Sequence, residues 1–285
     1  MEANMLTELR GHLGQSLFER VAGPDGVANR ARIHDTPGPR WFGPDRPIRR
    51  VHGDASMFIG GISALLLQSL HPLAMAAVAA HSGYRGDPWG RLQRTSTFLA
   101  VTTYGTAEDA QRAVDQVRAI HQRIRGRTAE GLTYHAADPH LLGWVHAAET
   151  ESFLRAHQRY GAHPLDAAGC DAYVADTARV AEALGVIDPP RDRRALSRRL
   201  SAYRPELRAT AEAAAAARFL LLQPPIPLVA RPFYAGLAAN GVAVLPYWAR
   251  SVSYMYKRQR RGRRRAAGGP RTDPCHPLGP ESVTS

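Results

Sequence analysis

The strongest constraint in this chain is its punctuation. Asp87-Pro88 and Asp138-Pro139 each set a capping carboxylate before a proline suited to the first helical turn. Thr106-Ala107-Glu108-Asp109 resembles a capping box, with Asp where the longer Glu or Gln is usual. Glycines follow as stops, at Gly105, Gly126, Gly161 and Gly185. Between these marks apolar residues recur at helical spacing, as in Val114, Val117, Ile120 and Ile124, and no stretch sustains the alternation of a strand. Helices are predicted from Pro88 to Gly105, to Gly126, from Pro139 to near Gly161, and over Ala167–Leu184. Further helices are expected over Arg191–Tyr203, from Pro205 to Leu222, and over about 232–244 and 246–258. The fold class that follows is all-α, a single-domain multi-helix bundle with little or no sheet.

Met57 to Ala80 runs 24 residues without a charged side chain, enough to span a bilayer at about 20 residues per crossing. Gly60-Gly61, Gln68 and His71-Pro72 divide it, so a buried kinked helix is the reading, and the chain is expected to be cytoplasmic. Residues 1–44, rich in Gly, Pro and Arg, read as an N-terminal arm with one helix, 45–256 as the helical domain, and 257–285 as a basic, disordered tail. Charge sharpens that last division. The tail carries eight basic and two acidic residues, so it holds half of the net +12. The remaining body is only mildly basic, which argues against nucleic-acid binding by the whole domain. Lys257–Arg265, with seven basic residues in nine, reads as a solvated tail or as an adhesive segment for anionic lipid or nucleic acid.

Several chemistries are excluded by what is missing. Two cysteines, Cys170 and Cys275, cannot build a disulfide framework or a Cys-rich zinc site. There is no GxSxG, Walker A, GxGxxG or HExxH, and the lack of any ExxH pair removes a di-iron bundle. A set of Arg, Thr and His at helical spacing remains. Arg91, Arg94 and Thr95 share one face, continued by Phe98, Leu99 and Thr102. His121 stands between Val117 and Ile124 on an apolar face, with Arg125 one turn on. From the residues alone, His121 is either a core histidine or a ligand, and the arginines are either solvated or face an anion or cofactor. His71 before Pro72, and Trp144 with His146, are further pocket candidates; Tyr134, His135 and His140 read as loop or surface residues.

The run Leu67-Gln68-Ser69-Leu70-His71-Pro72, then Ala80-His81-Ser82, then Asp87-Pro88-Trp89-Gly90-Arg91-Leu92-Gln93-Arg94-Thr95 resembles the rubber oxygenase (latex-clearing protein) and MpaB-type oxygenase family. Asp138-Pro139-His140-Leu141-Leu142-Gly143-Trp144-Val145-His146 and Val180-Ala181-Glu182-Ala183-Leu184-Gly185 continue the likeness, which covers roughly residues 45–255. The resemblance implies an all-α bundle around a buried haem b. It implies His121 as the proximal iron ligand with Arg125 as its helical companion, and Arg91, Arg94 and Thr95 on the distal side. His71, Trp144 and His146 would then be cofactor-contacting. The implied activity is oxygenation, with O2, an apolar small or medium substrate such as an isoprenoid or aromatic natural product, and an electron donor unless both oxygen atoms enter the substrate. A haem-binding sensor, carrier or peroxidase is the alternative, and a non-catalytic helical scaffold with a basic tail a further one.

Two departures bear on the chemistry. The lysine of the rubber oxygenase segment is Arg94 here, and Arg does not act as a base. The acidic residue that rubber oxygenases carry on the preceding helix has no counterpart, because residues 55–86 contain no Asp or Glu. Polyisoprene cleavage is therefore not carried over.

Overall fold

A computed structural model describes residues 26–83 and 86–250. Its helices are α1 (Gly26–Asp35), α2 (Pro47–His52), α3 (Met57–Gln68), α4 (Pro72–His81), α5 (Pro88–Tyr104) and α6 (Ala107–Arg123). After a two-stranded antiparallel hairpin, β1 (Arg125–Arg127) and β2 (Thr133–His135), come α7 (Pro139–Tyr160), α8 (Ala167–Leu184), α9 (Arg193–Tyr203), α10 (Ala211–Leu222) and α11 (Arg231–Val244). The all-α expectation holds. The N-terminal residues before Gly26, the second half of the predicted 246–258 helix and the basic tail lie outside the described residues.

The uncharged stretch is the centre of the molecule. Helix α3 lies between α7 and α11, its two most extensive partners. Glycine makes both approaches possible: a Cβ on Gly60 would fall 2.6 Å from the Phe153 ring of α7, and one on Gly241 of α11 would fall 2.6 Å from Ile62. The chain bends by 109° between α3 and α4. His71 takes the extended backbone that a residue before proline favours, which starts α4 in a new direction. No single helix among the described residues is long and apolar enough to cross a membrane.

The capping signals act as read. Asp87, Thr106, Asp138 and Asp166 each accept a hydrogen bond from a backbone N–H in the first turn of the following helix. Gly185 closes α8 in the left-handed region at φ 105°. In the Thr106 box the Asp109 carboxylate accepts from the Thr106 hydroxyl at 2.9 Å, since its side chain is too short to reach back to the backbone.

Three boundaries differ from expectation. Pro205 opens one turn of 3-10 helix, Arg204–Glu206, and α10 waits for the Thr210 cap. The intervening segment is held extended by Arg208 N–H donating to the Leu70 carbonyl at 2.8 Å. Helix α6 ends at Arg123, short of Gly126, because the hairpin draws Ile124 out: its carbonyl accepts from Ala136 N–H at 3.0 Å. Tyr134, expected at the surface, is buried beneath β1, where Gly126 leaves room for its ring.

Helices α5 and α6 pack on each other but touch α7 only slightly, while α6 and α7 both rest on α8. A gap therefore opens between the α5–α6 pair and one face of α7, with α8 as its floor.

Candidate cofactor and oxygen site

Exposure along α7 locates the gap. Leu142, Val145, His146 and Glu149 share one helical face and each keeps some accessible surface, whereas Leu141, Trp144, Ala147 and Ala148 are buried. Matching half-exposed positions occur at Phe98 and Leu99 of α5, at Ala113, Val117 and His121 of α6, and at Val180 and Leu184 of α8. At one end the gap is a hollow of about 190 Å³ lined by Arg118, His121, Gln122, Pro139, Leu142 and Leu184, among others.

His121 is thus on the wall of a hollow. Its Nδ1 is buried and meets no hydrogen-bond partner, and burial lowers its pKa, so the ring is a neutral imidazole with a lone pair. His146, one turn along α7 from Leu142, is similar. Burial, aided by the Arg199 charge, pushes its pKa down to about 4. Its Nδ1 lies 3.4 Å from the Thr150 hydroxyl, which reaches Thr177 at 3.3 Å, and its Nε2 is buried without a partner. His121 Nδ1 and His146 Nε2 are thus two of seven buried side-chain atoms among the described residues without a hydrogen-bond partner, and these two stand on helices that border the gap.

The distal candidates separate. Arg91 is half-buried and its charge acts on Glu149. Arg94 is 66% exposed, with a guanidinium N–H donating to Asp87 Oδ2 at 3.3 Å, and Thr95 is exposed. Only Arg91 of the three turns inward.

Arg125 corrects the sequence reading. It belongs to β1, paired with His135, and is exposed, so it is no helical companion of His121. The extended backbone of Ile124 breaks the i, i+4 relation on which that role depended. Arg118, one turn before His121 on α6, lines the hollow instead and donates to the Ala183 carbonyl of α8 at 3.3 Å.

His71 and Trp144 lie elsewhere. Trp144 is fully buried, its indole N–H donating to the Gln68 carbonyl at 3.1 Å and its ring against Tyr203 and His71. It occupies the face of α7 opposite His146. His71 is buried and 3.2 Å from Glu206.

Glu149 is the residue sequence reasoning missed. Burial pushes its carboxyl up to about 7, against the hydrogen bond from Gln68 and the Arg91 charge, which favour the anion. Tyr173 of α8 lies close enough for the Glu149 charge to act on its hydroxyl, and itself reaches His52 at 3.3 Å. The other nitrogen of His52 is 2.8 Å from the Thr103 hydroxyl, and burial drives its pKa to about 4. The helices before Arg91 carry no acid over residues 55–86, whereas α7 carries Glu149 within reach of the Arg91 charge. Its signal was legible: an acidic residue three positions after His146, on the same helical face as Leu142 and Val145.

Sequence comparisons place most of the chain in one family. The family model for the ER-bound oxygenase mpaB/B'/rubber oxygenase catalytic domain matches residues 49–271. An uncharacterized protein of Mycobacterium bovis and one of Mycobacterium tuberculosis are each 35% identical over 100 residues. Those matches take in 35% of this chain and 38% of each relative, so the chain spans well under half the length of the relatives it matches. No solved structure matches it. Because that family model covers most of its length, the chain belongs to the mpaB/rubber oxygenase catalytic-domain family.

Proposed function

We propose that this protein is a haem b-dependent oxygenase that oxidises an apolar small or medium molecule with O2, an isoprenoid or aromatic natural product being the substrate class that suits its walls. The observation that carries the reading is His121: a neutral imidazole on the wall of a hollow, with a buried nitrogen that no protein group meets. The donor set fits haem. His121 would hold the iron, Arg118 would pair with a propionate, and Leu142 and Leu184 would give the macrocycle apolar surface. Haem, when bound, supplies an iron that binds and activates oxygen.

The rest falls to the chain itself. Arg91 is permanently charged and half-buried, so it orients electron-rich groups entering beside Glu149. Glu149, with a pKa of about 7, divides between acid and anion at neutral pH and can give or take a proton at its carboxylate oxygen. Arg94 and Thr95 stand at the solvent end of the same face, where they act on what enters. His146 remains neutral and lends its unpartnered Nε2 to the same space. The basic tail suits attachment to an anionic surface, lipid or nucleic acid, and a donor of electrons is required if one oxygen atom leaves as water.

The test is oxygen uptake by the reduced protein with isoprenoid and aromatic probes, compared with Arg91→Ala. The variant should retain its haem and lose uptake by about 10²-fold, as expected for a preorganised charge. No probe-dependent uptake by wild type, or turnover only with peroxide, would contradict the oxygenase reading, and equal uptake by both proteins would remove Arg91 from it.

A further inference from the structure

Away from the hollow, two imidazoles and a carboxylate converge. His71 starts α4, His140 lies in the first turn of α7, and Glu206 closes the 3-10 turn after α9. Glu206 Oε2 is 3.2 Å from His71 Nε2 and 2.9 Å from His140 Nε2, and Oε1 is 3.0 Å from His140 Nε2. One ligand atom from each residue lies within 4.8 Å of both others. We propose that His71, His140 and Glu206 form a binding site for a divalent first-row transition-metal ion, separate from the His121 hollow.

The donor set is two nitrogens and one carboxylate on one side of a point, which leaves positions open on the other. That combination suits borderline divalent ions such as Fe²⁺, Zn²⁺ and Co²⁺. Bonds of about 2.1 Å at right angles put neighbouring ligands about 3.0 Å apart, close to the nitrogen–oxygen separations present. The charges also suit a cation: Glu206 faces the two imidazoles, which hold its carboxyl below the usual carboxylate range. A divalent ion would leave the site at +1.

The three ligands are held by contacts independent of any ion. The Tyr203 hydroxyl donates to the His140 carbonyl at 2.7 Å, and Arg208 N–H donates to the Leu70 carbonyl at 2.8 Å. His71 is wedged among Trp144, Tyr203 and His140 and is 2% exposed. His140 and Glu206 are open to solvent at 54% and 41%, which gives an ion a route in and water a place on it. His71 Nδ1 has no acceptor, the outer-shell partner that usually strengthens a metal-bound imidazole. Lacking it costs about 10–100-fold in affinity, so micromolar binding is expected, not nanomolar.

The competing account is a proton-shared bridge, with both Nε2–H groups donating to Glu206 and no ion. The two are separated by titrating chelator-treated full-length protein with Zn²⁺, with Co²⁺ ligand-field absorption reporting the donors, in wild type, His140→Ala, Glu206→Gln and His121→Ala. His140→Ala alters an exposed side chain and keeps the fold testable by circular dichroism. The expected result is about one equivalent of ion in wild type and in His121→Ala, weakened at least tenfold in the other two variants. Wild type binding well under one equivalent, or binding unchanged in His140→Ala and Glu206→Gln, would overturn the site and leave the hydrogen-bonded bridge. The haem reading is measured separately and does not enter this result.

Discussion

The two faces of α7 follow opposite rules. On one, Trp144, Ala147 and Ala148 are fully enclosed, and the indole N–H has its acceptor. On the other, Leu142, Val145, His146 and Glu149 keep accessible surface, and the polar groups among them are costly where they stand: a neutral imidazole with an orphan nitrogen and a carboxyl raised to about 7. The first face is built for stability. The second holds groups whose burial costs stability.

Substitutions on the two faces should differ in sign. The largest effect is expected at Trp144→Ala, which leaves a cavity in the core and removes about 3–5 kcal/mol, read by urea unfolding. Next is Glu149→Gln. The carboxyl ionises near its ordinary 4.5 in the unfolded chain and near 7 in the fold, so the native state loses stability as pH rises across that window. The variant should be more stable than wild type at pH 8 by up to about 3 kcal/mol, and no more stable at pH 4. A pH-independent difference would remove Glu149 from the low-dielectric site described for it.

Adjacent glycines of α3 give a finer version of the same contrast. A Cβ at Gly60 would lie 2.6 Å from the Phe153 ring and 3.1 Å from its Cα, which cannot swing aside. Gly60→Ala should cost about 1–3 kcal/mol in thermal or urea unfolding. A Cβ at Gly61 meets nothing within 4 Å, so Gly61→Ala should gain somewhat under 1 kcal/mol through helix propensity alone. Equal effects at the two positions would mean that the α3–α7 seam is looser than described.

Much of the fold was legible because its signals are local. Asp-Pro at the start of α5 and α7, and Gly185 at the end of α8, act through hydrogen bonds one turn away, and the residues that make them are adjacent in sequence. The misplaced boundaries depended on distant partners. Ile124 reads as helical by its apolar side chain, but a hairpin closed by residues 133–136 claims its carbonyl. Pro205 reads as a helix start, but Leu70, far back in the chain, holds the following segment extended.

The site divides in the same way. His121 is singled out by its motif, whereas Arg118 and Glu149 become candidates only through helices that the sequence does not bring together. Glu206 was invisible for the same reason: its two histidines come from α4 and α7, 135 and 66 residues away.

The central claim is that His121 completes its coordination with haem iron. The direct measurement is the oxidised and dithionite-reduced absorption spectrum of protein expressed with haem precursor, beside His121→Ala and His140→Ala. A Soret band present in wild type and His140→Ala and lost in His121→Ala is the predicted result. A His121→Ala variant with full Soret absorbance, or a wild type that takes up no haem, would contradict it.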